Sequence, residues 1–141
     1  MFVTVFVGVL NLNTGHLYYC NAGHEAPLLI GNDLKRLSCD SNLPVAVIPD
    51  WEFTLQETTI ASQTTIFLYT DGLSEAENVD LVQFGNERIL EVVKSLQEKG
   101  KTQPDVIVSE MTEAVHFFVG EAKQNDDLTM LAIKYMNTNG Q

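Results

Sequence analysis

Two places in this 141-residue chain set carboxylates against the ends of apolar strands. Asp71 follows the run Thr65 to Thr70 directly and precedes Gly72, while Asp126 and Asp127 stand just ahead of Leu128 to Tyr135. If those two strands pair antiparallel, the end of one lies beside the start of the other. Asp71 and Asp126 then converge at one edge of a sheet. Clustered carboxylates repel unless a cation neutralises them, and hard oxygen donors suit Mg²⁺ or Mn²⁺. Gly72 would let backbone approach an ion or its waters closely. The plain alternative is an ordinary Asp-Gly turn and a solvated Asp-Asp pair.

The elements that must position these groups read as strands first and helices second. Phe2 to Leu12 is apolar on both faces, which predicts a strand sandwiched between two layers. Asn13-Thr14-Gly15 turns the chain into a return strand over His16 to Asn21. The loop from Ala22 to Pro27 follows, then a short hairpin of 28–30 and 34–37. Trp51, Phe53 and Leu55 alternate with polar residues and predict a half-buried strand. Asn86 is the expected cap of a helix bearing Ile89, Val92, Val93 and Leu96, with Gly100 as its stop. Thr102 is the expected cap of a second helix, with Pro104 in its first turn and a stripe of Ile107, Met111, Ala114, Val115 and Phe118. Antiparallel sheet plus helices covering a sheet face gives an α+β class.

Composition narrows the functions. Eight Lys and Arg against nineteen Asp and Glu leave a net charge of −11, which argues against nucleic acid and against an anionic membrane surface. The two cysteines, Cys20 and Cys39, are too few for a disulfide scaffold and predict free thiols in a reducing, cytoplasmic setting. The apolar N-terminus lacks a basic region and a cleavage site, so no export signal or membrane anchor is expected in this segment.

Several segments, in order, resemble one family. Leu68-Tyr69-Thr70-Asp71-Gly72-Leu73-Ser74-Glu75-Ala76 is similar to the strand-TDG-x-x-E-A segment of the SpoIIE/RsbU-type branch of the metal-dependent (PPM) protein serine/threonine phosphatases. Asn21-Ala22-Gly23-His24-Glu25-Ala26-Pro27 resembles that branch's N-A-G-H-x-x-P loop, and Phe84-Gly85-Asn86-Glu87-Arg88 its F-G-x-E-R helix start. Asp126-Asp127-Leu128-Thr129-Met130-Leu131 resembles the terminal D-D-x-T-x-L strand, and Phe2-Val3-Thr4 an internal M-F-V-T strand.

The resemblance implies two packed antiparallel sheets with flanking helices, an α-β-β-α sandwich whose N-terminal part is missing. Residues 1–135 would form the C-terminal part of the domain and 136–141 a disordered tail. It implies hydrolysis of phosphoserine or phosphothreonine on a regulatory protein of the anti-sigma-factor antagonist type. Two Mn²⁺ or Mg²⁺ ions in the complete domain would activate a water for in-line attack. Asp71 and Asp126 match metal-binding positions, with Gly72 beside them; Asp127 matches a residue that supports the ligands from behind. Asn21, Gly23 and His24 would line the substrate cleft. His24 is the single candidate for a catalytic side chain, and its plainer role is hydrogen bonding within its loop.

The family's upstream D-x-x-G-x-G segment, whose Asp bridges both metals, has no counterpart, and Asp40 and Asp50 stand in the wrong context to replace it. The 141-residue chain alone is therefore expected to bind metal weakly and turn over little. Ala46 also stands where relatives have glycine. An exposed apolar strand edge points to a homodimer. Two other readings stay open: a catalytically dead phosphatase-like module that binds a partner, and a structural β-sandwich whose carboxylates hold nothing.

Overall fold

The computed structural model describes residues 1–40, 42–124 and 126–137. Two antiparallel sheets lie face to face. The first, ordered β1-β2-β5, is built from β1 (Val5–Leu10), β2 (His16–Ala22) and β5 (Gln56–Thr59). The second, ordered β4-β3-β6-β7, is built from β3 (Leu28–Ile30), β4 (Leu34–Arg36), β6 (Thr64–Tyr69) and β7 (Met130–Tyr135). Helices α2 (Gly85–Glu98) and α3 (Pro104–Val119) cover the outer face of the second sheet, and a single turn, α1 (Asp71–Ser74), follows β6.

Strand alternation explains the layering. Successive side chains point to opposite faces. In β3 and β6, Leu28, Ile30, Phe67 and Tyr69 meet Ile89, Val93, Ile107, Met111 and Val115 of the helices. Their neighbours Leu29 and Ile66 turn the other way and pack on Leu17 and Tyr19 of β2. These two strands are apolar because both their faces are buried. The helix stripes fall as the spacing requires, with Val92, Ala114 and Phe118 half-buried at their margins.

The structure corrects four expectations. β1 is shorter than Phe2 to Leu12, and only one of its faces is covered: Phe6 and Leu10 pack inward, while Val7 and Val9 are 57% and 67% exposed. The two packed antiparallel sheets with flanking helices are those the resemblance implies. Trp51, Phe53 and Leu55 are exposed and form no strand; the ladder begins at Gln56, where Tyr19 of β2 becomes its partner. Alternation cannot make a strand where no neighbour offers hydrogen bonds. Phe84, not Asn86, precedes α2, and Gln103, not Thr102, precedes α3. The Asn86 side chain serves a tertiary contact instead, its Oδ1 accepting from Tyr69, and the Thr102 backbone carbonyl accepts from Thr65 Oγ1 at 2.6 Å.

Beyond β7, Asn137 donates its backbone N–H to Ser62 Oγ at 2.9 Å and its amide to Asn13 O at 2.8 Å. The rest of the expected tail, 138–141, lies outside the described residues. Among the described residues no helix is long and apolar enough to cross a membrane. Cys20 and Cys39 are both free and half-buried.

Candidate metal centre at the end of the second sheet

β6 and β7 run antiparallel, with Tyr69 opposite Met130 and Thr64 opposite Tyr135. The pairing continues one step past both strands. Thr70 N–H donates to Thr129 O at 3.0 Å, and Thr129 N–H donates to Thr70 Oγ1 at 3.2 Å. The Thr70 hydroxyl in turn reaches Asp127 O at 3.4 Å. One threonine thus closes the gap between the segment that carries Asp71 and the segment that carries Asp126 and Asp127.

Gly72 completes the junction. A Cβ on it would sit 2.2 Å from Asp127 O and 3.5 Å from Leu128 Cα. Only a residue without a side chain lets α1 lie this close to the backbone of 127–128. Gly72 and Asp126 then line one cleft of about 620 Å³. Both Asp71 and Asp126 are exposed, and neither is ion-paired among the described residues. Asp126 Oδ1 accepts from Asp127 N–H at 2.7 Å, which fixes that carboxylate against its own backbone. Asp127 contributes its N–H and carbonyl to these contacts, while its side chain is solvated.

The donor chemistry suits a hard divalent cation, but the set is incomplete. Among the described residues no group of three or more His, Cys, Asp and Glu side chains stands close enough together to hold a metal ion. Asp71 and Asp126 would supply one side of such a site, and no hydrolytic step follows from them alone.

The loop after β2 lies at the same end of the sheet, because Leu28 of β3 pairs with Phe67 near the end of β6. Buried Asn21 clamps it: Oδ1 accepts from His24 N–H and Nδ2 donates to His24 O, both at 2.8 Å. Gly23, at φ +72, meets Pro44, where a Cβ would stand 2.7 Å from Pro44 Cγ. His24 Nδ1 is 3.0 Å from Glu25 O, so Nδ1 carries the proton it donates there. Asn21, Gly23 and His24 do not line the cleft with Gly72 and Asp126. Nearby, Ala46 adopts φ 70, the left-handed region open to glycine at roughly 1–2 kcal/mol less cost than to other residues.

Arg36, Tyr69 and Asn86 join these parts by contacts that the sequence did not show. Arg36 donates from Nη1 to Ala26 O at 2.8 Å and from Nη2 to the Tyr69 hydroxyl at 3.0 Å. The Tyr69 hydroxyl donates to Asn86 Oδ1 at 2.7 Å. The loop, the end of β6 and the start of α2 are thereby held together two residues before Asp71. A buried phenol ahead of an Asp-Gly turn is the signal that could have pointed there, since such a hydroxyl needs a partner.

Burial pushes the Tyr69 hydroxyl above its ordinary value of 10.0, with Arg36 opposing. Burial acts the same way on Tyr19. A raised folded-state value gives stability that is full below pH 10 and is lost as pH rises through it. Stability measured by urea unfolding should therefore be level at neutral pH and decline above about pH 10. Tyr69→Phe should shrink that decline and cost about 1–3 kcal/mol at neutral pH by stranding Arg36 and Asn86. An alkaline decline identical in the variant would contradict this assignment.

The family model for Stage II sporulation protein E (SpoIIE) matches residues 1–136. Protein IcfG of Synechocystis sp. is 28% identical over 134 residues, which is 94% of this chain and 20% of that protein. The phosphatase domain of SpoIIE from Bacillus subtilis, in an Mn-presoaked crystal, superposes with a TM-score of 0.69 at 12% identity, over 98% of this chain and 59% of that one. A Mycobacterium tuberculosis structure of RsbU and RsbW domains gives 0.69 at 21%, over 95% and 36%. The SiaA-PP2C domain of Pseudomonas aeruginosa gives 0.69 at 20%, over 86% and 47%. The chain thus spans about a fifth of its curated relative and less than two thirds of these structures.

Proposed function

Because this chain belongs to the Stage II sporulation protein E family and has the PP2C phosphatase fold over a partial domain, we propose that it carries one half of the metal centre of a protein serine/threonine phosphatase. The supporting observation is the junction of residues 70–72 with 127–129, which brings Asp71 and Asp126 to one end of the sheet. The substrate is a phosphorylated regulatory protein of the anti-sigma-factor antagonist type, met in the cytoplasm. Two Mn²⁺ or Mg²⁺ ions would polarise the phosphoryl oxygens and lower the pKa of the attacking water when bound. This chain's part is to hold two carboxylates, with Asp127 supporting from the backbone and the Asn21–His24 loop bordering the substrate.

With fewer than three metal-binding side chains brought together among the described residues, the 141-residue chain should show little turnover of a phosphoserine peptide in Mn²⁺. Turnover comparable to that of a complete relative, measured by phosphate release, would contradict this. The same incompleteness favours the second reading, a phosphatase-like module that binds a phosphoprotein without cleaving it.

We also propose that the chain self-associates. From Val7 to Leu10, β1 pairs with β2 alone among the described residues, and its apolar edge is exposed. Natural sheets seldom leave such an edge bare. Light scattering should show a mass rising with concentration above the 15.7 kDa of one chain, and Val9→Lys should hold it down. A constant monomer mass at high concentration would count against it.

A further inference from the structure

The cleft that opens at Gly72 and Asp126 runs on between α3 and the start of β7, well past the two carboxylates. Its floor is aliphatic: Val115, Val119, Leu128 and Met130. Its rim carries Glu75 and Glu77, with Asp126 at the end nearest the metal centre, and no Lys or Arg lines it among the described residues. Away from a cation held by Asp126, such a lining repels a phosphate. It fits a long side chain whose methylene stem lies on the apolar floor while its charged head stays at the acidic rim.

We propose that this cleft is a specificity subsite for a lysine or arginine of the substrate, close in sequence to the phosphoserine. The proposal rests on the phosphatase reading and names what that site selects. The rim gives the attraction and repels acidic side chains, and the apolar floor between α3 and β7 favours a long methylene stem over a short one. His116, exposed on α3, also borders the cleft. Thr112 lines the α3 wall, and its hydroxyl is already spent on Val108 O at 2.7 Å.

The test is a methyl NMR titration of the full chain in Mg²⁺ with matched phosphoserine peptides. One series places lysine at each position within two residues of the phosphoserine; the other places glutamate there. At least one lysine peptide should shift the Met130 methyl and bind at least about fivefold more tightly than its glutamate counterpart, a ratio of about 1 kcal/mol. Thr112→Trp should fill the cleft and abolish the Met130 shift. Glu75→Gln, a change at an exposed residue that leaves packing alone, should narrow the lysine-to-glutamate ratio. Equal affinities in the two series, or a Met130 methyl unmoved by every peptide, would overturn the subsite. Asp71→Asn separates this from the parent reading. If that variant weakens all peptides alike while lysine and glutamate stay equal, the subsite alone fails. If it leaves phosphopeptide binding untouched, the phosphatase reading fails with it.

Discussion

Gly72→Ala should destabilise the chain by about 1–3 kcal/mol or more, the range for forcing an extra carbon into a packed site. Within a helix this substitution normally stabilises, by about 0.5–1 kcal/mol, because alanine loses less backbone entropy than glycine. Here the new Cβ would stand 2.2 Å from Asp127 O and 3.0 Å from Asp127 C. Both are backbone atoms, so neither can rotate away; α1 and the segment before β7 must separate. Gly85→Ala offers the comparison. Gly85 sits at φ +77 with nothing within 4 Å, so its cost is conformational strain alone. Urea midpoints at unchanged slope give both values. A Gly72→Ala chain as stable as the parent would show that the two segments do not meet as described.

The second large effect concerns the cation. Asp71→Asn and Asp126→Asn should each lower Mn²⁺ affinity by at least about tenfold, since even groups that only support a ligand typically contribute 10–100-fold. Both residues are exposed, so each variant should keep its unfolding free energy within about 0.5 kcal/mol of the parent. Lost metal binding without lost stability separates a ligand from a structural residue. Isothermal titration with Mn²⁺ reads the first quantity and urea unfolding the second. An affinity unchanged by either substitution would remove that residue from the centre.

The parts of the fold that were legible in the chain are those where one pattern decides the outcome. Gly100 and Pro104 punctuate the helices, and Ile89, Val93, Leu96, Ile107, Met111 and Val115 lie buried at helical spacing. The apolar run before Asp71 reads as a strand, and it is one, buried along nearly its whole length. Patterns that depend on a distant partner misled. Trp51 to Leu55 alternates correctly and still forms no strand, because hydrogen-bonding neighbours are set by topology. Phe2 to Val9 is apolar on both sides, yet Val7 and Val9 are exposed. Local propensity likewise put Asn86 and Thr102 at helix caps, whereas a tertiary hydrogen bond from Tyr69 claimed the Asn86 side chain and α3 begins one residue later than Thr102 requires.

Of the candidate centre, strand-end carboxylates were readable, since antiparallel pairing alone brings Thr70 to Thr129. The Thr70 bridge and the bare Gly72 contact were not, because each depends on how the chain beyond the paired strands packs against Asp127. The Arg36–Tyr69–Asn86 link was hidden for the same reason: three residues from a hairpin, a strand and a helix share one hydroxyl.

Crystals of the chain soaked in Mn²⁺ and measured for anomalous scattering put the matter most directly. A manganese peak with a carboxylate oxygen of Asp71 and one of Asp126 in the same coordination sphere is the predicted result. Peaks that take only one of the two, or that lie elsewhere on the molecule, would leave these aspartates as solvated strand ends.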